Sequence, residues 1–251
     1  CVLSVMNGFG VMVEQLFSEF DPDIRIVAAT GKSFTISQEQ KIQLLALPGV
    51  ETVSESISET ALVYFEDKQM PVQLMGVDSL FGELTGIENI ITDGHYEVHD
   101  GAFDRAVLGQ GLAWKLGIRA RFITGLQVYA PKRHGKVNML RPDMNFNRET
   151  CFIAGTFAVN QQKYDENLML VDIGLTRRLL DFQEDEVTAL HVALPHKYSI
   201  KKAKREITSL LGKSFFVLDR YEQQEDFFRI LRMEKLLTSL LLIFILLIAT
   251  F

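Results

Sequence analysis

Cysteine is nearly missing: 251 residues contain two, Cys1 and Cys151. One stands at the chain start and the other in an apolar run. Neither a disulfide framework nor a zinc-ligand spacing can be built from them, and the redox compartment stays open. An excess of basic charge is lacking too. Lys and Arg number 26 against 32 Asp and Glu, a net charge of -6. A general nucleic-acid binder needs a basic face for phosphates, so no nucleic-acid partner is expected. No signal peptide is legible either, because only a few apolar residues follow Cys1 and no basic region precedes them.

Catalytic patterns are equally scarce. Thr30-Gly31-Lys32-Ser33 looks like the end of a phosphate-binding loop, but the first glycine of that motif would fall at Ile26, so a turn is the better reading. His95-Tyr96-Glu97-Val98-His99, flanked by Asp93 and Asp100, places two histidines four apart. The zincin order is not met, and the Asp93-Gly94 and Asp100-Gly101 pairs signal turns where a shared metal needs a helix. Gly109-Gln110-Gly111 lacks the third glycine and acidic follower of a dinucleotide site. There is no G-x-S-x-G elbow, and Cys151 has no recognisable histidine partner. The expectation is a non-catalytic protein with no cofactor and no catalytic or metal residues.

What is present is a folded core and one long apolar run. The chain is 47% hydrophobic and 23% charged, which suits one large or two smaller domains. Leu236 to Phe251 reads LLTSLLLIFILLIATF, apolar on every side where a soluble helix is apolar on one stripe. As a helix it spans about 24 Å, a little short of a bilayer core, and it predicts a membrane helix cut off before its far end. Phe9, Val13, Leu16, Phe17 and Phe20 have helical spacing, ended by Asp21-Pro22-Asp23. If Cys1 to Met6 is the tail of another membrane helix, both ends of the domain enter one bilayer.

Between the ends, the pattern predicts a strand at Ile24 to Ala29. A helix follows, opened by a Ser37/Gln40 capping box and running through Leu47, with Ile42, Leu45 and Ala46 inward. Strands at Val50 to Phe65 and Met70 to Val77 come next. Composition shifts near Asp78 to more glycine and shorter elements, with a helix at Gln110 to Leu116 and strands at Gly125 to Ala130 and Cys151 to Ala158. Pro131 to Thr150 is the least regular and most basic stretch. From Glu186 the first pattern resumes. The expected class is therefore α+β. A split β-α-β-β/β-α-β subdomain (21–77 plus 171–220) would carry an inserted, mostly β subdomain (78–170) with a projecting loop (131–150). Flanking it would be the juxtamembrane segment (1–20) and a connecting helix leading into the membrane (221–251).

Two stretches carry a resemblance: SVMNGF at Ser4 to Phe9, and DFFRILRMEK at Asp226 to Lys235 leading into the apolar run. VLGQGLAWKLGI (Val107 to Ile118) and FIAGTF (Phe152 to Phe157) fall between them in matching order. The chain resembles permeases of lipoprotein-releasing ABC transporters, the LolC/LolE type, within the superfamily that includes macrolide-exporter and cell-division permeases. The resemblance implies a periplasmic domain between the first and second membrane helices of an inner-membrane permease. It implies a cytoplasmic ATPase subunit, a second permease subunit, a lipoprotein cargo and a soluble periplasmic carrier. It also implies that the loop at 131–150 docks the carrier. The residues there are Lys132, Arg133, Lys136, Met139, Leu140, Arg141, Met144 and Phe146. Arg229, Arg232 and Met233, on the helix leading to the membrane, would pass on ATP-driven movement. Two alternatives stay open: a regulatory domain that activates a cell-wall hydrolase, and a drug or peptide exporter.

Overall fold

Long alternating segments dictate the framework. The computed structural model describes residues 21–118, 125–133, 142–195 and 198–223. In chain order the first half contains β1 (Ile24–Ala28), β2 (Phe34–Thr35), α1 (Gln38–Leu45), β3 (Thr52–Phe65), β4 (Lys68–Val77), α2 (Phe81–Thr85), β5 (Ile91–Gly94), β6 (Arg105–Gly109) and α3 (Gln110–Leu116). The second half contains β7 (Leu126–Pro131), β8 (Phe146–Phe157), α4 (Gln162–Asp165), β9 (Leu168–Asp172), α5 (Ile173–Leu180), β10 (Glu186–Val187), β11 (Ala189–Ala193), α6 (Ile200–Leu211), β12 (Phe215–Asp219) and α7 (Arg220–Gln223). The class is mixed, mostly strand with a few short helices.

Ten strands make one sheet in the order β12-β1-β11-β3-β4-β9-β6-β8-β5, while β7 bonds both β3 and β8. That double pairing closes β3, β4, β9, β6, β8 and β7 into a ring. Closure removes the exposed edges that invite aggregation. Because side chains alternate across a strand, every second residue of each ring strand feeds one core. Val63, Phe65, Leu74, Leu108, Val128, Cys151, Ile153 and Met169 share it with Leu112 of α3 and Leu179 of α5. A second core lies under α1 and α6, where Ile24, Ile26, Val53, Leu190 and Val217 meet Leu44, Ile207 and Leu211. A third covers the outer face of the ring with Met75, Val107, Phe157 and Leu170 under Phe81 of α2. The composition boundary after Val77 coincides with the end of β4, but the apolar residues change core earlier, between Val53 and Ile57. β3 therefore runs through both modules.

Three local readings change. The capping box exists, Gln40 N–H donating to Ser37 Oγ at 3.2 Å and Ser37 N–H donating to Gln40 Oε1 at 3.0 Å. The buried residue of α1, however, is Leu44; Ile42 is 65% exposed, Leu45 50%, and Ala46 is also exposed. The helix is only eight residues long and ends at Leu45. Its facing is set by packing on β3 and α6, and neighbouring residues lie ~100° apart around a helix, so Leu44 turns in as Leu45 turns out. Second, Phe146–Thr150 is not irregular: it is the start of β8, paired with β7. Third, Asp93-Gly94 closes β5 against Thr156 and Gly155, where a free turn was expected.

The apolar run at 236–251, the opening helix within 1–20, and Arg229, Arg232 and Met233 lie outside the described residues. No described helix is long and apolar enough to cross a membrane.

Candidate functional site

The described flanks of the stretch expected to project as a loop belong to paired strands. β7 and β8 pair from Leu126↔Cys151 to Pro131↔Phe146, and Lys132 N–H donates to the Asn145 carbonyl at 2.8 Å. Pairing continues this far because Val128 and Ala130 on β7 are fully buried, which leaves the hairpin little freedom to slip register. Beyond it, Pro142–Asn145 forms a 3-10 turn. Met144 and Phe146 are 51% and 42% exposed, apolar side chains left in water at the hairpin's end, and Lys132 is exposed beside them. Lys136, Met139, Leu140 and Arg141 lie outside the described residues.

Arg133 is held in place. Its Nη1 donates to Glu186 Oε2 at 2.8 Å and its Nη2 to Ser33 Oγ at 2.9 Å, and the guanidinium lies 4.2 Å over the Phe182 ring. The bidentate hold raises the Arg133 pKa, and the Arg133 hydrogen bond, helped by Ser33, draws the Glu186 carboxyl down to about 2. Asn147 adds a second tie, its Nδ2 donating to Leu179 O at 3.0 Å and Asp181 Oδ2 at 2.9 Å. These contacts clamp the far end of the β7–β8 pairing, beside Met144 and Phe146, against β10, the residue before β2 and the end of α5. Exposed Met144 and Phe146 thus lie beside a braced pair of strands.

The other singled-out motifs have packing roles. A Cβ on Gly109 would come within 2.4 Å of the Asp165 carbonyl oxygen, and one on Gly155 within 2.5 Å of the His95 carbonyl oxygen. Both glycines allow close backbone approach. His95 Nε2 faces Glu97 at 3.1 Å, whereas His99 Nδ1 faces Asp104 at 3.7 Å. The two imidazoles thus have separate carboxylates, and among the described residues no three such groups come together as metal ligands.

Sequence reasoning missed a cleft of about 510 Å³ floored by β1, β3, β4 and β11. Arg25 and His191 lie side by side there as cross-strand partners of β1 and β11. Burial, then the neighbouring Arg25, holds the His191 imidazole well below its ordinary pKa, so it is neutral. The Tyr164 hydroxyl donates to Asp21 Oδ1 at 2.8 Å, with burial first and Asp21 second pushing its pKa up. The one signal in the chain was β3's run of hydroxyls, Ser54, Ser56, Ser58 and Thr60, on alternate positions where a doubly covered strand would be apolar.

Residues 1–210 match the MacB-like periplasmic core domain. The chain belongs to that family. The lipoprotein-releasing system transmembrane protein LolC of Buchnera aphidicola subsp. Schizaphis graminum is 24% identical over 253 residues, covering 99% of this chain. This chain spans 59% of that relative's length. The periplasmic region of MacB from Actinobacillus actinomycetemcomitans shares the fold, with a TM-score of 0.57 at 11% identity over 81% of this chain and 91% of the other. So does the extracellular domain of the noncanonic ABC-type transporter YknZ from Gram-positive bacteria, with a TM-score of 0.54 at 15% identity over 78% and 99%. This chain is thus the periplasmic core domain of a MacB/LolC-type permease, and the sequence resemblance to that superfamily holds.

Proposed function

We propose that this domain serves a permease subunit that extracts lipoproteins from the bacterial inner membrane and hands them to a soluble periplasmic carrier. ATP would be hydrolysed on a separate cytoplasmic subunit, and a second permease subunit would complete the membrane pore. The likeness to LolC along the whole chain supports the lipoprotein reading. The observation that carries it is the braced β7–β8 hairpin with exposed Met144 and Phe146 at its end. An aromatic and a flexible thioether on a rigid support suit the desolvated anchors of a protein contact. Lys132, Lys136 and Arg141 would steer an acidic carrier face, an attraction that weakens as salt rises. Arg133 contributes by fixing the far end of the β7–β8 pairing. Arg229, Arg232 and Met233 would couple the domain to ATP-driven movement. Leu231→Pro, which kinks a helix at a cost of ~3 kcal/mol, should stop transport and leave carrier binding intact.

The likeness to MacB favours a second reading, export of a drug or peptide. The test is carrier binding by the full-length protein in nanodiscs. Replacing Lys136 to Arg141 by a Gly-Ser linker, or Phe146 by Ala, should weaken binding by about tenfold or more at unchanged melting temperature. Unchanged carrier affinity in both variants would sink the docking role and put the exporter reading first.

A further inference from the structure

On the face of the sheet turned away from α1 and α6, beside Phe81 of α2, the cleft leads into a second hollow of about 450 Å³ that shares Arg25, Ser58, Thr60 and Gln73. Volumes of this order are those of small-molecule sites. Two buried polar atoms on its floor lack partners. His191 is 2% exposed and bonds the Ser56 hydroxyl through Nε2 at 2.7 Å, yet its Nδ1 has no hydrogen bond. The Arg25 Nε beside it is also buried and without one. Native proteins seldom leave such groups unsatisfied, and their exceptions call for an explanation. Arg25 and Lys163 line the cleft against Asp21, which is engaged by the Tyr164 hydroxyl. The apolar part of the wall is Val72, Met75, Phe81 and Leu168.

We propose that this cleft binds an amphiphilic anion, a phosphate or carboxylate joined to an apolar chain, with its oxygens on Arg25 Nε and His191 Nδ1. When Ser56 O–H donates to Nε2, a neutral His191 carries its proton on Nδ1, and the two atoms without partners are then both donors, on paired residues of neighbouring strands. An oxyanion satisfies both at once; a neutral ligand leaves the buried Arg25 charge to Asp21. The apolar chain covers Met75, Phe81 and Leu168. The assignment stands apart from the carrier reading, since the hairpin takes no part in it.

The test is calorimetry on the full-length protein in nanodiscs with octyl phosphate as probe, beside inorganic phosphate and octanol. Octyl phosphate should bind about tenfold or more tighter than either fragment. Ser58→Trp, which fills the cleft from a half-buried rim position, and Arg25→Lys, which keeps the charge but removes Nε, should each weaken it about tenfold or more. Wild-type protein that does not bind octyl phosphate overturns the site, and so does binding that survives Ser58→Trp, which would be partition into the bilayer. Inorganic phosphate binding equally well would remove the apolar half of the proposal, and octanol binding equally well would remove the anionic half.

Discussion

At the scale of single residues, the contact between Arg133 and Glu186 joins the hairpin to the opposite module. The Glu186 carboxyl, ordinarily near 4.5, lies at about 2 in the fold. A depressed carboxylate pKa stabilises the fold fully above its unfolded value, and that contribution is lost as pH falls through the folded one. Stability should therefore decline from about pH 5 to pH 2 more steeply in the wild type than in Arg133→Met. At pH 7 the variant should be less stable by ~1 kcal/mol, a figure reduced for the partial exposure of Arg133. Urea melts across this pH range check both; parallel profiles would mean that the pair is not coupled to folding. Gly155 makes a different demand. Gly155→Ala drives a Cβ into the His95 carbonyl at 2.5 Å, with the Asp93 carbonyl at 2.9 Å, and both are backbone atoms. A loss of ~1–3 kcal/mol is expected from overpacking, read as a lower urea midpoint.

At the scale of elements, helix α1 separates pattern from packing. Its start was legible because a capping box is a local device, complete within four residues. Its inward face was not, because a short helix takes its rotation from the surfaces it docks on. Leu44→Ala should cost ~2–5 kcal/mol and Ile42→Ala ~0.5 kcal/mol or less. A larger cost at Ile42 than at Leu44 would restore the face read from sequence. The β3–β4 hairpin shows a similar limit. Strands on either side of Glu66-Asp67 were evident from their apolar content, but nothing in the chain showed that Glu66 takes a left-handed φ of 54°. The hairpin at β7–β8 looked irregular because the strand start after Phe146, Asn147–Thr150, is polar and charged. Those residues pair because β7 offers them partners.

At the scale of the whole molecule, β3 is the shared spine of two cores. Leu74 lies in the ring core, while Leu190 and Val217 lie in the other. If the spine couples them, Leu74→Ala should lower amide protection in β11 and β12 as much as in β7, by ~2–5 kcal/mol. Loss confined to β7 would show that the two modules open independently. Local chemistry in the chain was enough to determine a mixed, mostly strand class, most strand and helix positions, the capping box and the permease family, because period, propensity and short motifs are properties of neighbours. Closure of the six-strand ring was decided only in three dimensions, since β7 pairs with β3 across some sixty residues. The same holds for the clamp of Arg133 on Glu186 and Ser33 and for the cleft where Arg25 meets His191. Each joins residues far apart in the chain, so the pairing of distant strands had to bring them together before either arginine had a partner or a pocket.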